Sequence, residues 1–109
     1  MKVSLLVTVY NVKESLPVTL ASIEEQDYGD IETVIVDGGS TDGTVELIKR
    51  FAAKAADRQG FSVRWVSEPD EGLYDAMNKA FRMSTGDVIA VCNDRLCKSN
   101  AVSRLVGAL

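Results

Sequence analysis

The chain has 109 residues, of which 46% are hydrophobic and 26% charged, and these are the proportions of one ordinary globular domain. Its net charge of −4 and pI of about 4.7 argue against a nucleic-acid-binding surface and would repel an anionic ligand unless cations offset that charge. No run approaches the roughly 18 apolar residues of a membrane span, and the apolar run after Lys2 lacks the cleavage site of a signal peptide.

Strand and helix patterns alternate along the whole chain. Strands are predicted over residues 3–10, 33–36, 61–66 and 87–92, where apolar and β-branched residues cluster. Helices are predicted over residues 16–26, 44–57, 73–81 and 101–109, where most apolar residues recur at helical spacing. Such alternation in one domain, residues 1–109, predicts an α/β three-layer sandwich with a mostly parallel sheet.

Several polar and small residues are placed to begin or end these helices. Asn11 and Ser15 offer capping groups for the first helix, and Asp42 is placed to cap the second. Gly60 and Gly86 are expected to close the second and third helices, respectively. Gly38 and Gly39 permit positive φ and a close approach of a ligand to the backbone.

Polar residues follow each of the four predicted strands. The carboxyl ends of parallel strands meet at one edge, where open α/β sheets bind their ligands. At least three carboxylates are therefore expected to converge on one crevice, although loops are usually polar and aspartate often caps helices. The residues at these strand ends are Thr8, Tyr10, Asn11, Asp37, Ser40, Asp42, Ser67, Glu68, Asp70, Asn93, Asp94 and Arg95.

Several familiar kinds of site are excluded. The chain has neither a Gly-x-x-x-x-Gly-Lys-Ser/Thr phosphate loop nor a Gly-x-Gly-x-x-Gly dinucleotide motif after the first strand. It contains no histidine, which rules out Ser-His-Asp and Cys-His mechanisms within this chain. Cys92 and Cys97 match no zinc or redox spacing, so both are expected to be reduced thiols.

Four segments, taken together, resemble the nucleotide-sugar domain of family 2 inverting glycosyltransferases, which have the GT-A fold. These segments are residues 7–11 (VTVYN), 36–44 (VDGGSTDGT), 67–79 (SEPDEGLYDAMNK) and 85–89 (TGDVI). The resemblance implies a Rossmann-like half that binds a nucleotide-diphospho-sugar and transfers its sugar with inversion. The positions that it implies for donor binding are Thr8, Val9, Tyr10, Asn11, Asp37, Gly39, Ser40, Asp70, Gly72, Asp75, Asn78 and Asn93.

Asp37 has the most specific role in this resemblance. The family usually has Asp-Asp-Gly-Ser where this chain has Asp37, Gly38, Gly39 and Ser40. A carboxylate at Asp37 could accept a hydrogen bond from the imino N–H of uracil, which would favour UDP-sugars.

The family also places an acidic metal-binding pair just after the fourth strand, which implies a divalent cation, Mn or Mg. An alignment without gaps puts Arg95 and Leu96 at the acidic positions. The preferred alignment assumes two deleted residues and leaves Asp94 as the metal ligand. Either alignment gives an incomplete metal site. In a third possibility, Arg95 binds the diphosphate directly.

The sequence ends at Leu109, before the half in which family enzymes bind the acceptor and carry the general base. The resemblance therefore predicts no catalytic base in this chain, weak nucleotide binding, and little transfer to a saccharide or lipid-linked acceptor. It also implies a cytoplasmic location, free or at the inner face of a membrane. The alternatives are a nucleotide-binding module without catalysis, and an α/β domain that forms a homodimer through an uncovered edge or face of the sheet.

Overall fold

A computed structural model describes residues 1–92 and 101–108, and its centre is a four-stranded parallel sheet. The strands are β1 (Val3–Val9), β2 (Ile31–Asp37), β3 (Phe61–Ser67) and β4 (Val88–Val91), in the spatial order β3-β2-β1-β4. β1 pairs with β2 along its whole length, whereas β4 pairs only with the first half of β1, from Val3 to Leu6. The predicted parallel sheet is thus confirmed, with each strand end within a few residues of its predicted place.

The helices are α1 (Leu16–Glu24), α2 (Thr44–Ala55), α3 (Leu73–Met83) and α4 (Ala101–Gly107). Alternate residues of the central strands face opposite sides of the sheet. Leu5 and Ile35 pack in the larger apolar cluster, which also contains residues of α1, α2 and α4. Leu6 and Val34 pack against Ala76 and Ala80 of α3 in a smaller cluster. The predicted three-layer α/β sandwich is confirmed.

The ends of the helices differ from the predicted capping. Ser15 precedes α1 but makes no side-chain capping bond, while Pro17 does lie in the first turn. α3 ends at Ser84, whose hydroxyl donates to the carbonyl of Phe81, so Gly86 is not its cap. Gly86 is needed for another reason: a Cβ atom there would lie 2.5 Å from the Ser4 hydroxyl oxygen.

A buried carboxylate, Glu32, joins the beginning of β2 to the turn between α3 and β4. Its side chain is 2% exposed and accepts hydrogen bonds from the Ser4 hydroxyl (2.9 Å), the Thr85 N–H (2.8 Å) and the Thr85 hydroxyl (2.8 Å). The Lys2 ammonium lies 3.4 Å away. Burial raises the pKa of Glu32, but the bonds from Thr85 and Ser4 and the charge of Lys2 together hold it below its ordinary value.

The order of the strands fixes where a ligand can bind. The chain moves from β1 to β2 to β3 in one direction and then crosses back to β4 on the other side of β1. In open α/β sheets, ligands bind beyond the carboxyl ends of the strands at such a reversal. A ligand is therefore expected to bind at the carboxyl end of β1. Within the described ranges, no helix has the length and apolar character needed to cross a bilayer.

Candidate functional site

An open cleft of about 290 Å³ lies at the carboxyl end of β1, between this strand and the first turn of α3. Five of the residues predicted to bind a ligand line it, namely Thr8, Val9, Tyr10, Asp70 and Gly72. Leu73 and Ala76 complete the lining. The Tyr10 side chain is 60% exposed, so an aromatic ring face is available to a ligand at this edge. Two smaller grooves, lined by residues of α1 and α2, lie on another part of the surface and contain none of the predicted residues.

The turn after β2 is built around the carboxylate of Asp37, which is 0% exposed. Its Oδ2 accepts hydrogen bonds from the N–H groups of Gly39 (3.1 Å) and Ser40 (2.8 Å) and from the Ser67 hydroxyl (2.7 Å). Its Oδ1 accepts one from the Ser40 hydroxyl (2.5 Å). A carboxylate has about four acceptor positions, and here the protein itself fills that number. Asp37 therefore shapes the turn in this structure, and its predicted contact with a base stays a prediction.

Two side chains connect this turn to the segment after β1. Asn11, with a left-handed φ of 48°, donates its N–H to the Ser40 hydroxyl (2.7 Å) and accepts from the Thr41 N–H (2.9 Å). Asp42 accepts from the N–H groups of Lys13 and Thr44 and from the Thr44 hydroxyl. The Thr44 hydroxyl bond is the main reason that the pKa of Asp42 lies below its ordinary value. Asp42 thus binds the first N–H of α2, near its predicted capping role, although Gly43 holds the cap position.

Gly38 and Gly39 serve different purposes in this turn. Gly39 has a φ of +92° and therefore uses the conformational freedom predicted for it. Gly38 does not have a positive φ, so it does not use the freedom that glycine permits there. A Cβ atom at Gly38 would lie 2.9 Å from Asp70 Oδ2 and 3.3 Å from Cδ1 of Tyr10. Asp70 and Tyr10 therefore occupy the space that a side chain at position 38 would need.

The loop between β3 and α3 is held in place by three polar side chains. Asp70 Oδ1 accepts from the Gly72 N–H (3.0 Å), and Asp75 Oδ2 accepts from the Glu71 N–H (3.0 Å). The Lys79 ammonium lies 3.1 Å from Glu68 Oε1 and 3.5 Å from Asp75 Oδ2. The Glu68 bond is the main cause of a raised pKa of Lys79, and the Glu71 N–H is the main cause of a lowered pKa of Asp75.

The predicted donor-binding residues thus fall into three groups. The five cleft residues come together at one surface, and Asn11, Asp37, Gly39 and Ser40 form the turn network beside it. Asp75 and Asn78 lie on α3, and neither lines the cleft. Asn93, Asp94, Arg95 and Leu96 lie outside the described residues. The sequence analysis did not identify Leu73 or Ala76 as lining residues.

A divalent cation has no evident set of ligands in the part of the chain that the structure describes. No group of three or more His, Cys, Asp or Glu side chains there is placed to hold a metal ion. Asp37 accepts four bonds and Asp75 pairs with Lys79, so neither is free to hold an ion. Asp70, which lines the cleft, is a single carboxylate whose Oδ1 already accepts from the Gly72 N–H. The described residues therefore do not fit a metal centre, and the predicted ligand Asp94 lies outside them.

Comparison with known sequences and structures gives consistent results. The family model described as glycosyl transferase family 2 matches residues 4–109. A PGL/p-HBAD biosynthesis glycosyltransferase of Mycobacterium tuberculosis is 35% identical over 104 residues, which are 94% of this chain and 39% of that protein. The chain thus spans well under half the length of this relative.

Two solved structures have the same fold. The mannosyltransferase PcManGT from Pyrobaculum calidifontis, in complex with GDP-Man and Mn²⁺, matches with a TM-score of 0.84 and 29% identity over 96% of this chain and 31% of that one. Residues 1–349 of TarS from S. aureus, in complex with UDP-GlcNAc, match with a TM-score of 0.72 and 24% identity. That match covers 99% of this chain and 30% of TarS 1–349.

Proposed function

Because the chain belongs to glycosyl transferase family 2, we propose that it forms the donor-binding part of an inverting glycosyltransferase. The donor in this proposal is a UDP-sugar, and the acceptor is a hydroxyl of a saccharide or a lipid-linked saccharide. The observation that carries the proposal is the cleft at the carboxyl end of β1, where five residues predicted for donor binding meet.

The lining of the cleft suits the nucleoside part of such a donor. Tyr10 offers a ring face on which a base can stack, and Gly72 lets the backbone of the loop approach a ribose closely. The lining includes no Lys or Arg, and Lys79 nearby is already paired with two carboxylates. A diphosphate would need neutralisation by cations outside this lining, since the net charge of the chain is −4.

A Mn or Mg ion held in part by Asp94 would supply that neutralisation. This part of the proposal rests on the family resemblance of the sequence. The structure of PcManGT with GDP-Man and Mn²⁺ supports nucleotide-sugar binding with a divalent cation in this fold. When bound, such an ion stabilises the negative charge that develops on the leaving diphosphate. The described residues of this chain would then bind and orient the nucleoside without taking part in the displacement.

In this proposal, the acceptor site and the base that deprotonates the acceptor hydroxyl belong to the part of such enzymes outside the stretch that this chain matches. The chain covers 39% of the mycobacterial relative. We therefore expect nucleotide binding by the 109-residue chain but little or no sugar transfer. The location at the cytoplasmic face of a membrane stays a prediction of the resemblance.

Association of two copies of this chain is proposed on different evidence. Ile89 and Val91 of β4 are exposed apolar side chains, and they pair in register with Ser4 and Leu6 of β1. Leu6 packs in the apolar cluster that contains Ala76 and Ala80 of α3. α3 packs against β1 and β2 and leaves these two side chains uncovered among the described residues. A second copy could cover them. Sedimentation velocity of the wild type and of Val91→Lys tests this: a dimer that the substitution dissociates supports it, and a wild-type monomer at high concentration excludes it.

Isothermal titration calorimetry with UDP, GDP and CMP, each with and without Mn²⁺, tests the proposed donor. UDP is expected to bind most tightly, and uridine is expected to retain measurable binding because the cleft accepts the nucleoside. Tyr10→Ala should weaken UDP binding about tenfold, which is the loss expected for one base–aromatic stack. Tighter binding of GDP than of UDP would contradict the choice of base, and no binding of any nucleotide would contradict the function.

A further inference from the structure

Asp37 was expected to contact the base of the donor, but in the structure it holds the turn after β2. It is the last residue of β2, and its carboxylate is buried and accepts four hydrogen bonds within the protein. Oδ2 accepts three of these bonds and Oδ1 one, and because the side chain is 0% exposed a base could reach either oxygen only if the turn opened. A different acceptor is therefore needed to bind the N–H of a base.

Asp70 has the free capacity that Asp37 lacks. Its Oδ1 accepts from the Gly72 N–H, and no other described residue donates to its Oδ2. Asp70 lines the cleft together with Tyr10. Oδ2 also lies against Gly38, in the space that a side chain after Asp37 would fill. The carboxylate from the β3–α3 loop therefore stands where the second acid of the usual Asp-Asp-Gly-Ser pattern would project.

We propose that Asp70, through Oδ2, is the residue that recognises the base of the donor, accepting a hydrogen bond from the ring N–H of a uracil stacked on Tyr10. This inference rests on the proposed function, because it assigns a specificity-determining residue to the same cleft. Gly38 has a matching role, since its missing side chain makes room for the carboxylate. Asp37 then has an indirect role, because its hydrogen bonds hold the turn that contains Gly38.

An ionised carboxylate can accept hydrogen bonds but cannot donate them. It therefore discriminates between pyrimidines by the hydrogen-bond donors that they present. Uracil presents an N–H at ring position 3, whereas cytosine has an unprotonated nitrogen there, which would face the carboxylate with a lone pair. The same reasoning predicts that a methyl group on N3 of uridine removes the bond and collides with Asp70. N3-methyl-UDP is thus a direct probe of this contact.

The test is a cycle with two proteins and two ligands. UDP and N3-methyl-UDP are titrated into the wild type and into Asp70→Asn by calorimetry. The asparagine keeps an oxygen for the Gly72 N–H and replaces Oδ2 by an NH₂ group, so the loop bond is retained. We expect methylation to weaken binding to the wild type at least tenfold more than it weakens binding to Asp70→Asn. The methyl group meets a side chain of the same shape in both proteins, but only the wild type loses a hydrogen bond. Asp70→Asn itself should weaken UDP binding by at least tenfold, because a charge-assisted bond is lost.

Glu71→Gln serves as the matched control, since it removes a neighbouring exposed charge from the same loop and should leave both affinities unchanged. Thermal unfolding of each variant verifies that the fold is intact. An equal effect of methylation on the wild type and Asp70→Asn would overturn the role of Asp70, while UDP binding by the wild type would still support the proposed function. A wild-type chain that binds no UDP would instead overturn the proposed function and, with it, this inference.

Discussion

Glu32→Gln is expected to lower the free energy of unfolding by about 2–3 kcal/mol. Glu32 lies near the amino end of β2, at the opposite end of the strands from the cleft. The carboxylate is 2% exposed and joins β1, β2 and the α3–β4 turn through Ser4 and Thr85. Glutamine has nearly the same shape, so the substitution removes charge and one acceptor without leaving a cavity.

The magnitude follows from the bonds that glutamine cannot make. Its single carbonyl oxygen can still accept from Ser4 or the Thr85 N–H, but its NH₂ group cannot accept from the Thr85 hydroxyl. It also loses the attraction of the Lys2 ammonium, 3.4 Å away. A hydrogen bond to a charged group contributes about 1.5–3 kcal/mol, and the loss of roughly one gives the stated range. In a domain of this size, that loss lowers Tm by about 10–20 °C.

The effect should depend on pH with a definite sign. The pKa of Glu32 in the folded protein lies below its ordinary value of 4.5, because bonds from Thr85 and Ser4 outweigh the effect of burial. Between these two values the unfolded chain binds more protons than the folded one, so the stabilisation by Glu32 is lost as the pH falls through this window. The difference between wild type and Glu32→Gln should be constant above about pH 5.5 and shrink below the ordinary pKa.

Urea unfolding at pH 7 and at pH 3.5, followed by the fluorescence of the single tryptophan, Trp65, measures both effects. Glu46→Gln is the matched control, because Glu46 lies on the outer surface of α2, where its ion-pair partner is Lys49 at 3.8 Å. A loss of less than about 0.5 kcal/mol at pH 7, the range typical of surface substitutions, would refute this account. So would a loss at pH 3.5 as large as that at pH 7.

Three further substitutions test other parts of the structure. Thr33→Val should raise the free energy of unfolding in urea by about 1 kcal/mol, because the buried Thr33 hydroxyl has no partner among the described residues, and an unchanged or lower stability would contradict this. Asp37→Asn should lower it by about 2–3 kcal/mol, since an amide cannot accept all four bonds of the turn, and a smaller loss than for Glu46→Gln would count against that network. Lys79→Met should speed amide hydrogen exchange over residues 68–72, because Lys79 connects α3 to Glu68 and Pro69, and unchanged exchange would show that the loop needs no such connection.

The order and kind of the elements could be predicted because the information is local. The β-branched run before Asp37 and the apolar stripe of α2 each lie within a dozen residues, and the alternation of strands with helices restricts the topology to a parallel sheet. The roles of Gly86 and Glu32 could not be predicted in this way. Gly86 must lack a side chain because Ser4 lies against it, and Glu32 accepts hydrogen bonds from Thr85. The residues of each pair are far apart in the sequence and come into contact only after the sheet has formed.

The site shows the same division between local and distant information. That Thr8 and Tyr10 reach one cleft with Asp70 followed from the position of strand ends in a parallel sheet. Val9 and Gly72, which line the same cleft, were implied only by the family resemblance. Which acid faces the ligand did not follow, because an Asp-Gly-Gly-Ser segment can either bind a ligand or close its own turn. The bonds from Gly39, Ser40 and Ser67 to Asp37 show that it closes the turn here.

The contact between Gly38 and Asp70 also limits the order in which these positions can change during evolution. A mutation that introduces aspartate at Gly38 would bring a second negative charge against Oδ2 and force Asp70 to give up its bond with Gly72. A lineage that regains an acid after Asp37 is therefore expected to lose Asp70 first. Among homologous sequences, aspartate at both positions should be rarer than the product of their separate frequencies.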